Sequence, residues 1–368
     1  MNLGQFFDIR ANSLNSLRLL FATVVIVSHS WPVAGVSGEP YLGDMNYGEI
    51  AVAGFFAISG FLITGSRLNN DLVSYSRARL LRIFPGFWVC LAVSAFVAAP
   101  IAATVRGGWT VADALGYVYS NVTLVIRQWT IGGTLDGAPR TDSWNGPVWT
   151  LMYEFSCYIL IGALFTIPRL RSRWVVLTAF AFFTLGCVAV KLGVLPDTGL
   201  GAKMENATQF GALFFAGAVT FMFRDRIPAS TFVFVGALFI SVASIAANWG
   251  DVIAPLGVAY LCIWISARFP RLLVERIGDG SIDISYGMYV YGWAVQQLVV
   301  LATLDQYGIG VMIAASVIGT VPIATLSWFA IEKPALRFKN TRQPVEVRET
   351  MGSETRTEAD GLERRART

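Results

Sequence analysis

The chain has 368 residues, with 28 Lys and Arg against 24 Asp and Glu, which gives a formal net charge of +4. Hydrophobic residues make up 55% of it and charged residues only 14%, whereas a soluble domain carries about a quarter charged residues. This composition excludes a soluble globular protein and indicates an integral membrane protein. The arginines flank apolar runs instead of forming a basic patch, so we expect no nucleic-acid partner. The four cysteines lie in apolar runs without paired spacing, so we expect neither a disulfide framework nor a metal site.

Apolar runs of about 20 residues, the length that crosses a bilayer, recur along the chain. They predict an all-α polytopic membrane protein with about ten transmembrane helices. We place the spans near 15–34, 49–66, 83–104, 146–167, 174–193, 206–222, 231–247, 252–268, 282–303 and 309–330. Residues 1–338 then form one membrane-embedded domain, and the polar tail at 339–368 is expected to be disordered and cytoplasmic because its hydrophobicity is low.

The loops between these spans alternate in charge. One set holds Arg67, Arg77, Arg79, Arg82, Arg169, Arg171, Arg173, Arg224, Arg226, Arg268, Arg271 and Arg276. The other set holds Glu39, Asp44, Glu49, Asp251 and Asp305 with few bases. Since cytoplasmic loops carry the excess of Lys and Arg, we predict that both termini are cytoplasmic.

The first span carries Arg18 and His29, and His29 is the only histidine in the chain. An α-helix rises about 1.5 Å and turns about 100° per residue, so the two residues share one face about 16 Å apart. An ionisable side chain deep in a span is costly in hydrocarbon and therefore indicates a functional site. The alternative is a histidine that merely bonds a neighbouring helix.

The fourth span carries Glu154, about eight residues in and hence about 12 Å below the outer surface. This depth is close to that of His29, so the two would pair or share a water-filled cavity. An imidazole held by a carboxylate can act as a general base near neutral pH. The alternative is a polar contact that locks two helices without catalysis.

Three arginines, Arg77, Arg79 and Arg82, precede the third span. Guanidinium groups bind phosphate bidentately, so together with Arg18 they would hold a phosphorylated ligand at the cytoplasmic mouth. Alternatively, each of these arginines belongs only to the positively charged residues that ordinarily flank the cytoplasmic end of a span. A phosphate-binding group below a buried base suits coenzyme A. Its phosphates would bind the arginines, and its thioester would reach His29. A hydroxyl group arriving from outside would attack the thioester there.

The longest external connection, roughly 105–145, contains Trp109, Tyr117, Tyr119, Trp129 and Trp144. A loop of this length usually has a function or a structure of its own, and residues 111–127 are compatible with an interfacial helix. These aromatic side chains would stack on sugar rings, or alternatively form an interfacial belt.

Six segments in chain order resemble the membrane-bound acyltransferase family 3, the O-acyltransferases of bacterial surface polysaccharides and related glycoconjugates. They are Arg18 with His29, Phe55-Phe-Ala-Ile-Ser-Gly-Phe-Leu-Ile63, Arg79-Leu-Leu-Arg82, Pro147-Val-Trp-Thr-Leu-Met-Tyr-Glu154, Ile284-Ser-Tyr-Gly-Met-Tyr-Val-Tyr291 and Glu332-Lys-Pro334. Many members carry a second histidine after the fifth segment, where this chain has Gly292-Trp293, so the chain cannot use a mechanism that needs two histidines.

The resemblance implies a ten-helix enzyme in the bacterial cytoplasmic (inner) membrane. Its donor would be a cytoplasmic acyl-CoA, with acetyl-CoA favoured. Its acceptor would be a glycan or lipid-linked saccharide at the outer face, and its candidate partners would be polysaccharide-assembly proteins. No metal is expected.

These residues and motifs define a predicted site. The catalytic residues are His29 as general base and Glu154. The predicted donor-binding residues are Arg18, Arg77, Arg79, Arg82 and Ser59, and the predicted substrate-binding residues are Trp149, Asn145 and Tyr286.

Two other classes of function compete with the enzyme. A proton-coupled transporter or flippase of a glycan or lipid-linked sugar would use His29 and Glu154 as a proton relay, and a structural partner in polysaccharide export would not need His29. The arginine cluster favours the enzyme, because proton coupling requires no phosphate anchor.

Overall fold

A computed structural model describes residues 1–9, 11–194, 198–268 and 282–339 of the chain. The predicted cytoplasmic tail lies outside the described residues except for its first member, Lys339. Arg271 and Arg276 of the arginine-rich loops also lie outside them.

The described chain is almost wholly helical. In chain order the α-helices are α1 (Leu3–Phe6), α2 (Leu14–Ala34), α3 (Tyr47–Asn69), α4 (Leu72–Val93), α5 (Ala99–Arg106), α6 (Val111–Asn121), α7 (Thr150–Leu164), α8 (Arg173–Lys191), α9 (Gly199–Phe223), α10 (Thr231–Ala246), α11 (Gly250–Arg268), α12 (Ser285–Leu301), α13 (Ile309–Ser327) and α14 (Lys333–Arg337). Short 3₁₀ turns occur at Pro147–Trp149, Pro168–Leu170 and Leu304–Tyr307, and π-helical turns at Ser94–Ala98 and Trp328–Glu332. A hairpin of two strands, β1 (Tyr41–Leu42) and β2 (Met45–Asn46), precedes α3.

Each of the ten predicted spans contains one long described helix. Eight helical stretches among the described residues are long and apolar enough to cross a membrane. The helices in the remaining two predicted spans are shorter, with 16 residues in α10 and 17 in α12. The prediction of an all-α polytopic membrane protein is therefore confirmed.

The third helical stretch begins earlier than its predicted span. It runs from Leu72 to Arg106 through the π-helical turn and is 35 residues long. Asp71 caps its start, because its side chain accepts a hydrogen bond from the Ser74 N–H at 2.9 Å. The arginines before the predicted span thus lie on the same helix as the span itself.

The helix predicted at 111–127 ends at Asn121. The Asn121 side chain accepts a hydrogen bond from the Arg127 N–H at 2.8 Å and donates one to the Gln128 carbonyl at 2.7 Å. These bonds turn the chain back on itself, so residues after 121 continue as a loop.

The helix ends form two faces of the molecule, and the charged side chains at one face are opposite in sign to those at the other. At one face the N-terminal segment joins the loop after α9, where the Leu3 N–H donates to the Ile227 carbonyl at 2.8 Å. At the other, Lys191 contacts Asp44 at 2.8 Å and Asp251 at 3.6 Å. We call these the arginine-rich face and the acidic face. The assignment of the arginine-rich face to the cytoplasm stays a prediction.

The closest helix contact lies between α3 and α9. A Cβ atom on Gly60 would lie 1.8 Å from the Phe214 carbonyl oxygen, and one on Gly217 would lie 2.0 Å from the Ala57 carbonyl oxygen. Small residues let membrane helices approach this closely. The contact fixes α3 in the bundle and with it Ser59, whose hydroxyl faces α7.

Candidate active site

The His29 imidazole lies near the end of α2 at the acidic face. Its ring packs edge-on against Trp293 of α12, with ring centroids 5.0 Å apart. The Trp293 indole N–H donates to the Ser143 carbonyl at 3.0 Å, which ties that ring to the long loop. None of the hydrogen bonds among the described residues involves the imidazole. Packing therefore orients His29, and its nitrogens remain available to a ligand.

The largest cavity next to His29 opens at the acidic face and has a volume of about 460 Å³. We call it the outer cavity. The side chains on its wall include His29, Trp129, Arg140, Asp142, Trp149 and Trp293. Arg140 forms two 2.8 Å contacts with Asp142, and its guanidinium lies 5.9 Å from the Trp293 ring centroid. Three of these residues belong to the long connection at 105–145, so that loop builds the site's entrance.

A second cavity of about 190 Å³, the middle cavity, lies on the other side of Trp149. It shares His29, Pro147 and Trp149 with the outer cavity. Its remaining wall combines polar and aromatic side chains, among them Asn46, Glu49, Asn206, Gln209, Phe210 and Tyr289. His29 therefore faces two separate spaces.

A third space, the inner cavity, leads from the middle cavity towards the arginine-rich face. The two share Val52, Thr150 and Tyr289, and the inner cavity is also lined by Arg18 and Glu154. It holds only about 30 Å³, the volume of about one water molecule in the liquid. Arg18 and His29 thus mark two ends of one series of cavities.

Glu154 lies on the inner cavity and is held by two hydroxyl groups. Ser59 of α3 donates to its Oε1 atom at 2.6 Å, and Tyr158, one turn further along α7, donates to the same atom at 2.5 Å. No hydrogen bond between described residues joins Glu154 to His29. The two residues line neighbouring cavities, so any proton passing between them needs water or the intervening hydroxyls of Thr150 and Tyr289, which lie 2.6 Å apart.

Arg18 and Arg82 converge on one carboxylate, that of Asp283. Arg82 Nη2 lies 2.6 Å from Asp283 Oδ2, and Arg18 Nη1 lies 3.7 Å from it. The Ser285 hydroxyl donates to the other oxygen at 2.6 Å. Arg82 also approaches Glu332 Oε2 at 4.0 Å. Two arginines and two buried carboxylates therefore meet beneath the inner cavity.

The other two predicted arginines, Arg79 and Arg77, form no ion pair with Asp283 among the described residues. Arg79 lines a separate cavity of about 270 Å³ between α4 and α7, where its buried Nε atom has no hydrogen-bond partner among the described residues. Arg77 is two residues from Arg79, about 200° around the helix, so the two point to different sides. Of the four arginines predicted to bind phosphate, Arg18 and Arg82 share the Asp283 carboxylate, while Arg79 lies beside a different cavity but near enough to both for an electrostatic interaction.

Comparison with known proteins decides the family. The model of a family described as an acyltransferase domain matches residues 11–331 of the chain. The chain belongs to the membrane-bound acyltransferase family 3. It is therefore an acyltransferase, as the six sequence segments predict.

Three relatives are similar to this acyltransferase. An O-acetyl transferase of Shigella phage Sf6 is 29% identical over 342 residues, which cover 88% of this chain and 96% of the relative. Nodulation protein 10 of Rhizobium leguminosarum bv. viciae is 27% identical over 365 residues, covering 90% and 94% of the two chains. Acyltransferase MdmB of Streptomyces mycarofaciens is 26% identical over 174 residues, or 45% and 43%. No solved structure matches this chain.

The three predicted substrate-binding residues occupy different places in the acyltransferase. Trp149 borders both cavities that contain His29. Tyr286 lines the inner cavity with Arg18, while its hydroxyl donates to the Ile83 carbonyl at 2.7 Å. Asn145 is buried and lines none of the three cavities. Its Nδ2 atom lies 3.0 Å from Cys90 Sγ, and its Oδ1 atom has no hydrogen-bond partner in the part of the chain that the structure describes. Of the three, only Trp149 lies beside the histidine.

The sequence analysis assigned no role to four residues of the site. Tyr158 is four residues after Glu154, so helical spacing alone places it on the same face. Asp283 immediately precedes the fifth family segment, and Trp293 stands where many members have a second histidine. Arg140 carries no local signal beyond its position in the long connection.

Proposed function

We propose that this acyltransferase transfers an acetyl group from acetyl-CoA to a hydroxyl group of a surface polysaccharide or glycoconjugate in the bacterial cytoplasmic membrane. The donor enters at the arginine-rich face and the acceptor binds at the acidic face. The series of three cavities carries the proposal, because it links Arg18 at one end with His29 and the outer cavity at the other. The name of the phage relative, an O-acetyl transferase, supports the choice of acyl group and acceptor atom.

The donor's phosphates bind Arg18 and Arg82, whose guanidinium groups suit bidentate phosphate contacts. The thioester arm then extends along the inner cavity towards His29, about 16 Å away by helix rise. In this structure the inner cavity holds about 30 Å³, so the arm requires the side chains of its wall to move. Tyr286 and Phe55 line this passage and are the side chains that must give way.

The acceptor sugar binds in the outer cavity, whose three tryptophans and the Arg140–Asp142 pair offer stacking surfaces and hydrogen-bonding groups. His29 removes the proton of the attacking hydroxyl as its oxygen bonds to the thioester carbonyl carbon. The carbon–sulfur bond then breaks, and the imidazolium returns the proton to the leaving thiolate. The products are the sugar ester and free coenzyme A. Glu154 supports this transfer from the inner cavity through water or the Thr150 and Tyr289 hydroxyls.

Mass spectrometry of surface glycans tests the proposal. We compare cells that lack the protein with cells carrying the wild type, His29→Ala or Thr23→Ala. Thr23 is a matched control on the same helix, because its hydroxyl only donates to the Leu19 carbonyl of that helix at 2.9 Å. General base catalysis typically contributes about 10²–10⁴-fold, so His29→Ala should remove the acetyl mass while Thr23→Ala retains it.

Equal membrane levels of the variants, measured by immunoblotting, complete this experiment. An unchanged acetyl mass in His29→Ala would refute the role of the histidine. Glycans identical with and without the protein would refute the proposed acceptor class.

A further inference from the structure

We infer that the middle cavity is the pocket for the acyl group, and that Phe210 and Glu49 restrict it to small, uncharged acyl groups. The inference rests on the proposed function and adds to it the residues that choose the donor. Its basis is the position, the size and the charge of the cavity.

The position of the middle cavity follows from its shared walls. It meets the inner cavity, and hence the donor's route, at Val52, Thr150 and Tyr289. It meets the outer cavity at His29, Pro147 and Trp149. A thioester that reaches His29 from Arg18 must therefore pass its acyl group into the middle cavity, while the acceptor occupies the larger outer cavity.

An aromatic cluster limits the size of this pocket. Phe210 stacks on Phe56 with ring centroids 4.4 Å apart and planes inclined by 11°. It also contacts Trp149 at 5.7 Å and Tyr153 at 5.4 Å between centroids. Only 7% of the Phe210 surface is exposed, so this wall is packed on several sides. A wall packed around about 190 Å³ leaves room for a short acyl group, because a cavity of about 150 Å³ holds a six-carbon ring, but it resists a chain of about ten carbons.

The polar part of the wall adds a selection by charge. Among the described residues, Glu49 is the one carboxylate on the wall of the middle cavity, and a capping box with Asn46 fixes it at the start of α3. Gln209 is held by Asp251, to which its Nε2 atom donates at 2.9 Å, and Asp251 in turn lies 3.6 Å from Lys191. An acyl group ending in a carboxylate would meet the charge of Glu49. A long apolar chain would instead remove the polar amides of Asn206 and Gln209 from water, which is unfavourable.

A comparison of three donors tests this assignment. Membranes from cells that lack the chromosomal copy and express each variant are incubated with acetyl-, decanoyl- or succinyl-CoA carrying a labelled acyl group, and the label incorporated into glycan is counted. The wild type should use acetyl-CoA far better than the other two. One methylene in a pocket typically changes specificity by about 10–200-fold, so Phe210→Leu should raise the decanoyl-to-acetyl ratio at least about tenfold. Glu49→Gln should raise the succinyl-to-acetyl ratio and leave the decanoyl-to-acetyl ratio near that of the wild type.

Phe215→Leu is the matched control. Phe215 is also buried on α9, but it stacks on Phe183 and lines none of the three cavities. Its donor ratios should equal those of the wild type. The inference is overturned if the wild type uses decanoyl- or succinyl-CoA as well as acetyl-CoA, or if Phe215→Leu shifts the ratios as much as Phe210→Leu does. A failure of all three donors would instead refute the proposed function.

If Phe210→Leu fails to accumulate in the membrane, the succinyl-to-acetyl ratio of Glu49→Gln tests the assignment of the pocket by itself. Glu49 is an exposed residue, so its substitution leaves the aromatic packing intact. An unchanged succinyl-to-acetyl ratio in that variant would overturn the assignment of the charge filter.

Discussion

Arg82 and Arg18 share the Asp283 carboxylate but differ in how firmly they are held. Arg82 lies 2.6 Å from Asp283 and also approaches Glu332, and its side chain is 14% exposed. Arg18 is 3.7 Å from Asp283 and 21% exposed. The sequence analysis treats the arginines alike as donor ligands, whereas the structure distinguishes Arg82, which two carboxylates also hold, from Arg18, which is held more loosely and lines the inner cavity.

This difference predicts different effects of the two alanine variants. Breaking a buried ion pair by removing one partner costs about 3–5 kcal/mol, because the remaining charge is left uncompensated. Arg82→Ala should therefore lower the thermal stability of the purified protein, and the double variant Arg82→Ala/Asp283→Asn should recover part of the loss. Arg18→Ala should leave stability near the wild type and raise the KM for acetyl-CoA, since it removes binding present in ground and transition states.

Thermal unfolding in detergent and donor titrations measure both quantities. Equal stability of Arg82→Ala and Arg18→Ala would contradict the distinction. An unchanged donor KM in Arg18→Ala would remove that residue from the donor site.

At the level of helices, the contact between α3 and α9 supports the site. Ser59, which donates to Glu154, is adjacent to Gly60, and Gly60 lies against the backbone of α9. A shift of α3 at this point would move the Ser59 hydroxyl away from α7. The geometry of the carboxylate thus depends on a backbone contact between two other helices.

Gly60→Ala should weaken both the fold and the site. Its Cβ would lie 1.8 Å from the Phe214 carbonyl oxygen, so the helices must separate, and such overpacking typically costs about 1–3 kcal/mol. Gly236→Ala is the matched control, because a Cβ there meets nothing within 4 Å and alanine is the better helix former. Thermal unfolding in detergent should show a lower Tm for Gly60→Ala and an equal or higher Tm for Gly236→Ala. Similar Tm values for Gly60→Ala and the wild type would show that the contact is less tight than described.

At the scale of the whole molecule, the two faces differ in charge and in the cavities they offer. The outer cavity, which contains Arg140 and Asp142, opens at the acidic face, while Asp283 and its arginines lie towards the other face. The proposed reaction needs these two faces on opposite sides of the membrane. The orientation is therefore open to a direct test.

Reporter fusions determine this orientation. A periplasmic reporter such as alkaline phosphatase, fused after Asp136 of the long loop, should be active, and one fused after Arg171 should be inactive, because cytoplasmic loops carry the excess of Arg. A cytoplasmic reporter at the same two positions should give the reverse result. The opposite pattern would invert the topology and place the outer cavity in the cytoplasm.

The sequence by itself determined the helices, the family and the relation of Arg18 to His29. Hydrophobic runs mark the spans because polar side chains are costly in the hydrocarbon core of the bilayer. The helical period places residues eleven apart on one face of a helix. The same local regularity relates Tyr158 to Glu154, although the sequence analysis did not use it. Such relations depend only on positions within one helix.

Only the tertiary structure decided which helix faces which. Arg82 and Asp283 are 201 residues apart, and their contact depends on how α4 and the start of α12 pack together. In the same way, α3 rather than α2 supplies the hydroxyl that holds Glu154, and Trp293 rather than a carboxylate orients His29. A hydrophobic span can rotate about its axis with little change in its sequence pattern, so its rotation is set by close packing on its neighbours.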